Sequence, residues 1–167
     1  MTSNTELQTF ADQLADLTSH HIEGIAVMGN TPFSCPIITQ VEGNLWQGGC
    51  LGGSRLPDEF RYVLSLYPWE RYEIGPDTER HEVRLYDGPD IPPTTQLNEL
   101  ADWVNEKRVL GLTLVHCQAG LNRSALITAL ALIRSGMTPD DAIALLRRQR
   151  SPAVLCNPTF ERWLRLR

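Results

Sequence analysis

Nine consecutive residues, His116-Cys117-Gln118-Ala119-Gly120-Leu121-Asn122-Arg123-Ser124, gather a thiol, a guanidinium, an imidazole and a hydroxyl into one short stretch. The apolar run before it, residues 110–116, predicts a strand, and the run after it, residues 124–135, predicts a helix. The nine residues therefore form a strand-to-helix turn. Backbone N–H groups of such a turn converge on one oxyanion, and the positive end of the helix adds to their field. Gly120 allows the tight path, and Asn122 tolerates an unusual backbone angle. Each of these partial charges favours a thiolate at the mouth of the turn, which makes Cys117 the candidate nucleophile. Arg123 can return to the same mouth and hold two phosphate oxygens in its planar fork, as a lysine could not do equally well.

Displacing an alkoxide or phenoxide from phosphorus also needs a proton donor. The turn-rich stretch Tyr86-Asp87-Gly88-Pro89-Asp90-Ile91-Pro92-Pro93 offers two, Asp87 and Asp90, just after an alternating run at residues 82–86 that predicts a strand. Asp87, directly after that strand, is the preferred donor and Asp90 the alternative.

His116-Cys117, five residues, then Arg123-Ser124 resembles the H-C-x5-R-[ST] signature of the cysteine-dependent protein tyrosine and dual-specificity phosphatases. Gly43-Asn44-Leu45-Trp46-Gln47-Gly48-Gly49 is similar to their first hairpin, Val63-Leu64-Ser65-Leu66 to the core strand that follows, and Asn157-Pro158-Thr159-Phe160 to their C-terminal N-P-x-F segment. The likeness runs over residues 37–166. It implies a two-step reaction in which Cys117 attacks phosphorus while Asp87 protonates the leaving oxygen, and water activated by Asp87 then hydrolyses the cysteinyl-phosphate. The loop from Gln118 through Ala119, Gly120, Leu121 and Asn122 to Arg123 would hold the equatorial oxygens. Ser124 would donate a hydrogen bond to the sulfur and His116 would buttress the loop. No metal and no cofactor is implied.

The implied partner is a phosphoprotein or phosphopeptide carrying phosphotyrosine, with phosphoserine and phosphothreonine as further substrates, because the chain lacks the length and the tyrosine-clamping loop of strictly tyrosine-specific domains. Phosphoinositide phosphatases of the same fold crowd lysines into the loop, whereas this loop is neutral between Cys117 and Arg123. RNA 5′-phosphatases of the superfamily share the Asn-Arg pair before the hydroxyl residue. A non-catalytic phosphoprotein-binding module could dispense with the cysteine, arginine or acid, yet all three are present. A sulfur-transfer enzyme also uses a loop cysteine, but the Arg123-Ser124 ending suits phosphorus better.

Composition narrows the partners further. At 167 residues, 42% hydrophobic and 21% charged, the chain has the length of one globular domain with a sizeable core. Its net charge of -5 gives no general attraction for polyanions, and the densest basic run, Arg147, Arg148 and Arg150, reads as the polar edge of a helix, so no nucleic acid is expected. Residues 1–9 lack the basic start and apolar run of a secretory signal, and no stretch approaches the roughly 18–20 apolar residues of a span. The expectation is a cytoplasmic protein with no membrane partner. Cys35, Cys50, Cys117 and Cys156 show no C-x-x-C spacing and predict neither zinc nor a disulfide framework; apart from Cys117 they read as packing residues, with redox partnership as the alternative. Gly48, Gly49, Gly52 and Gly53 read as turns, since no Lys-Ser/Thr follows them as a nucleotide-binding loop requires. Arg55, His20, His21 and His81 read as surface residues and the tryptophans as packing, Trp69 being the one placed in an exposed loop.

The elements that must position the loop follow from periodicity. Helical spacing of Leu7, Phe10, Leu14 and Leu17 predicts a helix over residues 5–21, followed by irregular chain at 24–36. A hairpin is predicted at 37–46 around Glu42-Gly43-Asn44, then a loop at 48–53, a strand at 60–67 and an exposed stretch at 68–78. Helices are expected at 95–107 and 124–135, the latter stopped by Gly136. Two more open at the capping devices Thr138-Pro139-Asp140-Asp141 and Asn157-Pro158. Strands followed by helices indicate an α/β domain: a central mixed, mostly parallel sheet flanked by helices, with the phosphate loop between a strand and a helix. Residues 1–36 read as a helical extension packed on a catalytic domain at 37–167.

Overall fold

The computed structural model describes residues 9–167. The first half contains α1 (Phe10–Ser19), β1 (His21–Ile25), β2 (Pro32–Pro36), β3 (Ile38–Glu42), β4 (Leu45–Gly49), β5 (Phe60–Ser65) and β6 (Glu79–Glu82). The second half contains α2 (Thr94–Leu110), β7 (Leu112–Cys117), α3 (Arg123–Arg134), α4 (Pro139–Gln149) and α5 (Pro158–Arg165).

Five strands form one sheet in the order β3-β4-β7-β5-β6; β3 and β4 are antiparallel, and every other neighbouring pair is parallel. This is the mixed, mostly parallel α/β sheet the sequence predicts. Its central strand, β7, is apolar on both faces, as a strand covered on both sides must be. Val115 and Cys117 point into the cluster shared with α2–α5, whereas Leu112 and Leu114 join a second cluster on the other face with Leu17, Trp46 and Phe60. The period of two thus fixes which residue of β7 meets which core. Each fully buried leucine in these clusters is worth about 1.5–3 kcal/mol against exposure.

Helix α3 is apolar on all sides and every residue from Ser124 to Leu132 is buried, as a helix packed between the sheet and neighbouring helices requires. It ends in a Schellman turn: Gly136, at φ 111°, and Met137 donate backbone N–H bonds to Ile133 O and Leu132 O. Thr138 caps α4 by accepting from Asp141 N, with Pro139 in the first turn, as expected from the sequence.

Several expectations need correction. The helix expected at 5–21 spans Phe10–Ser19; residues 5–8 lie outside the described residues, and His21 opens β1. The stretch expected to be irregular, 24–36, instead takes part in an antiparallel hairpin, β1 with β2, joined by a turn in which Ala26 N donates to Thr31 O. Pro32 and Pro36 sit at its strand ends, where a missing N–H is tolerated. Gly48 and Gly49 are the last residues of β4 rather than a turn. The strand expected at 82–86 pairs earlier, at Glu79–Glu82; the chain continues extended, with Val83 N and Leu85 N donating to Ser65 O and Leu66 O. In the stretch expected to be exposed, Trp69 is, but Tyr72 is buried. His81 is half-buried against Trp103. No helix among the described residues is long and apolar enough to cross a membrane.

Candidate active site

Cys117 ends β7 and Arg123 opens α3, so the five residues between them span the gap from the sheet to a helix N-terminus. The carbonyls of this loop are engaged by protein donors. Gln118 O accepts from Cys50 N at 2.7 Å; Ala119 O accepts from Arg150 Nη2 at 3.2 Å. Gly120 O accepts from both Arg150 Nε at 2.7 Å and Gln47 Nε2 at 2.9 Å. Leu121 O and Asn122 O accept from Leu155 N and Leu126 N. In a trans peptide the N–H of the next residue points opposite to the carbonyl, so carbonyls held by the protein turn the amides of residues 119–123 the other way, toward the mouth. Two glycines make this possible. A Cβ on Gly49 would stand 2.4 Å from Ala119 C, and Gly120, at φ 70°, would set one 2.7 Å from the backbone of Gly48. Asn122 itself has φ −111°, so the unusual backbone angle expected there falls on Gly120 alone.

Cys117, Gln118, Asn122 and Arg123 of the loop line a cavity of about 250 Å³ together with Asp87; His116 and Ser124 lie outside it. Cys117 Sγ lies 3.4 Å from Ser124 Oγ, both residues being buried. Arg123 donates from Nη1 to Leu85 O at 3.4 Å and stacks over the Tyr67 ring at 5.2 Å, leaving its buried Nε without a partner among the described residues. Asp87 is gripped by two amides: Asn122 Nδ2 donates to Oδ2 at 2.9 Å and Asn157 Nδ2 to Oδ1 at 2.8 Å. Asn157 also donates to Gly88 O, which fixes the loop that carries Asp87. Asp90 is exposed and lines a larger cavity, about 590 Å³, under the acid loop; Asp87 borders that space too, but Cys117 does not. Asp87, unlike Asp90, lines the same cavity as Cys117.

Beneath the loop, His116 is fully buried and its Nε2 lies 2.7 Å from the Tyr72 hydroxyl. Nδ1 lies 3.5 Å from Cys117 O, which can only accept, so the ring proton is assigned to Nδ1 and Nε2 is left to accept from the tyrosine O–H. Burial pulls the imidazole down to about 4, with Arg80 adding to the effect and the bond to Cys117 O opposing it. His116 is thus neutral at pH 7, and the Glu70 carboxylate 3.7 Å away is no ion-pair partner there. Glu70 accepts from Leu51 N at 3.0 Å, and burial raises its carboxyl.

Arg150 is the residue the sequence reading misplaced. It is 5% exposed, not on a solvated edge, and donates to Pro36 O at 2.9 Å and Thr39 Oγ1 at 3.1 Å besides the two loop carbonyls. No carboxylate pairs with it among the described residues, and a guanidinium stays charged even where burial disfavours the charge. The signal was present: Ala142, Ile143 and Leu146 form the buried face of α4, and position 150 lies one further turn along it. Asn157 was legible as the cap of α5, which it is, accepting from Thr159 N at 3.0 Å, and as the start of the N-P-x-F resemblance, but not as a partner of Asp87. The tip of the β1–β2 hairpin, with Ile25, Ala26, Val27 and Phe33, forms another wall of the 250 Å³ cavity, a role no local pattern announced.

Residues 58–167 match the family described as dual specificity phosphatase, catalytic domain. The chain belongs to this family. Human protein tyrosine phosphatase type IVA 3 is 52% identical over 40 residues, covering 24% of this chain and 23% of that protein. Mouse protein tyrosine phosphatase type IVA 2 is 33% identical over 91 residues, covering 49% and 53%. The chain thus spans between about a quarter and a half of these curated relatives. A mouse putative dual specificity phosphatase superposes with a TM-score of 0.67 at 21% identity, over 78% of this chain and 86% of that one; the likeness is one of fold. The match to the dual specificity phosphatase family begins at residue 58, so α1, the β1–β2 hairpin, β3 and β4 lie before it.

Proposed function

We propose that the chain hydrolyses phosphate monoesters on protein side chains, phosphotyrosine foremost, through a cysteinyl-phosphate on Cys117. The observation that carries the reading is the convergence of Cys117, Arg123 and Asp87 on one cavity of about 250 Å³. In the first step the Cys117 thiolate forms the S–P bond, the P–O bond to the substrate breaks, and the Asp87 carboxyl gives its proton to the departing oxygen. In the second, Asp87 takes a proton from water as its oxygen bonds to phosphorus and the S–P bond breaks. The Ser124 hydroxyl, 3.4 Å away, donates to the sulfur as it leaves. Arg123 and the loop amides of Gln118 to Arg123 hold the equatorial oxygens in both steps. His116, held by Tyr72, buttresses the loop from below.

Phosphotyrosine is favoured because Tyr67, Trp69 and Tyr86 line an adjoining space of about 340 Å³ that opens onto Arg123, a setting suited to a planar aryl group. Phosphoserine and phosphothreonine would be slower substrates. The neutral loop supports protein monoesters over phosphoinositides. A thiolate nucleophile and four free cysteines suit a reducing compartment, so we place the activity in the cytoplasm.

The test compares wild type with Cys117→Ser, Asp87→Ala and Asp90→Ala on p-nitrophenyl phosphate and phosphopeptides, with chelator present. Cys117→Ser should abolish turnover, and Asp87→Ala should lower kcat on poor leaving groups by about 10²–10³-fold. An inactive wild type, or Cys117→Ser turning over equally well, would sink the mechanism. A larger loss from Asp90→Ala than from Asp87→Ala would reassign the acid.

A further inference from the structure

Next to the catalytic cavity stands a cation that the proposed chemistry does not use. Arg84 follows β6 in the extended segment whose backbone is pinned on both sides of it, by Val83 N to Ser65 O and Leu85 N to Leu66 O. Alternation turns Val83 and Leu85 inward and leaves Arg84 and Tyr86 outside. The Arg84 guanidinium lies 4.8 Å from the Trp69 ring centroid and 4.5 Å from that of Tyr86. Trp69 in turn packs on Tyr67 at 5.0 Å, and Tyr67 carries Arg123 at 5.2 Å. A continuous row of rings therefore connects the phosphate-binding arginine to a second arginine.

The chemistry of this second group is specific. Rings against a guanidinium engage its faces and leave the N–H groups along its edge. Arg84 donates no hydrogen bond and pairs with no carboxylate among the described residues; Arg61, Arg71, Arg148 and Arg162 are unpaired as well, but of these five only Arg84 is held against aromatic rings. It also borders the 590 Å³ space, which shares Leu85, Tyr86 and Asp87 with the aromatic-lined space above Arg123. A planar cation with free edge donors, set off from Arg123 by the rings of Trp69 and Tyr67, is suited to take a carboxylate or phosphate in its fork.

We infer that Arg84, clamped by Trp69 and Tyr86, is a second anion-binding subsite that selects phosphotyrosine peptides carrying a carboxylate or a second phosphate close to the phosphotyrosine. The inference rests on the phosphatase reading and adds its substrate preference. A peptide is favoured over a polyphosphorylated lipid headgroup because the cation is single and set apart from a neutral loop by aromatic rings. A compact polyanion would call for several cations around one point.

The experiment uses matched phosphotyrosine peptides with Glu, Gln or phosphoserine beside the phosphotyrosine, a short-chain phosphoinositide, and p-nitrophenyl phosphate. These are assayed on wild type, Arg84→Met, Arg84→Lys and Trp69→Ala. Arg84→Met should lower kcat/KM for the Glu and phosphoserine peptides about three- to tenfold, through KM, at low salt. It should leave the Gln peptide and p-nitrophenyl phosphate unchanged. Comparing Glu with phosphoserine identifies which anion the subsite prefers. Arg84→Lys should restore part of the loss, and Trp69→Ala should erode the same discrimination. Peptide affinities measured in Cys117→Ser and Cys117→Ser/Arg84→Met supply a readout that does not need turnover. If wild type fails on p-nitrophenyl phosphate yet Arg84→Met weakens the Glu peptide selectively, the phosphatase reading falls and the subsite stands. Equal effects on Glu and Gln peptides, an effect confined to the phosphoinositide, or no peptide binding at all would overturn the subsite.

Discussion

Lowering the pH from 7 to 5 should cost this fold about 2 kcal/mol through His116 alone. In the folded protein the ring is fully buried between the sheet and Tyr72, and burial, first among the causes, holds its protonation down to about 4 against a reference of 6.5. The unfolded chain takes that proton near the reference value. Between the two values the unfolded state therefore binds more protons than the native one, so stability is whole above pH 6.5 and drains as the pH falls toward 4. The gap is worth about 3 kcal/mol in full, of which about 2 kcal/mol is lost by pH 5. Urea unfolding followed by tryptophan fluorescence at both pH values measures the loss. Other groups titrate in the same window, so the decisive quantity is the difference from His116→Gln, whose amide still offers the Tyr72 hydroxyl an acceptor but does not titrate. Wild type should lose about 2 kcal/mol more than this variant. The same loss in both proteins would refute the neutral, desolvated histidine under the loop.

Three further outcomes follow from the same geometry. Arg150→Lys keeps the charge but cannot span the loop carbonyls and Pro36 O together; two buried acceptors lose their donor, for a cost of about 2–4 kcal/mol that a drop in thermal midpoint would register, and an unchanged midpoint would contradict the clamp. Asn157→Ala removes the 2.8 Å bond to Asp87 and the cap of α5 at once: about 1 kcal/mol of stability should go, and kcat on alkyl phosphates should fall about tenfold while p-nitrophenyl phosphate, which needs less acid help, suffers less. Gly49→Ala sets a methyl carbon 2.4 Å from Ala119 C and must displace the loop; a variant that folds by circular dichroism but loses about 10²-fold in kcat/KM is expected, and wild-type kinetics would show the close approach to be unimportant.

The nine-residue loop was legible because its chemistry demands fixed residue types at short, fixed spacing, and because the apolar runs on either side specify a strand and a helix without tertiary help. Asp87 was legible for a weaker reason: it follows an alternating stretch, and the structure shows that stretch to be extended yet mostly past its last ladder pair, at Glu82. Val83 and Leu85 still face the core, so periodicity reported burial and was taken for pairing. The residues of β6, Glu79 to Glu82, carried no such pattern because the two that are half-buried are polar, Arg80 over the Tyr72 ring and His81 against Trp103. The β1–β2 hairpin was hidden by the prolines at its ends. Arg150, Tyr72 and Gln47 escaped because they reach the loop from 30 to 73 positions away, through packing that no local window contains.

What unites these distant residues is that they act on one side of the loop only. Arg150, Gln47 and Cys50 hold its carbonyls, His116 and Tyr72 support the strand that feeds it, and Gly49 lets β4 press against it. With its carbonyls engaged on the buried side, the loop's amides have one direction left, so the proposed phosphate binding would need little reorganisation. Asn122 then joins the two halves of the chemistry. Its backbone carbonyl opens α3 by accepting from Leu126 N, while its side-chain amide reaches Asp87 at 2.9 Å. Asn157, whose own N–H donates to Asn122 Oδ1 at 2.9 Å, closes the ring. The Asp87 carboxylate is therefore tied to the Cys117 loop through Asn122 and Asn157, so that under the proposed mechanism a shift of the loop carries the proton donor with it.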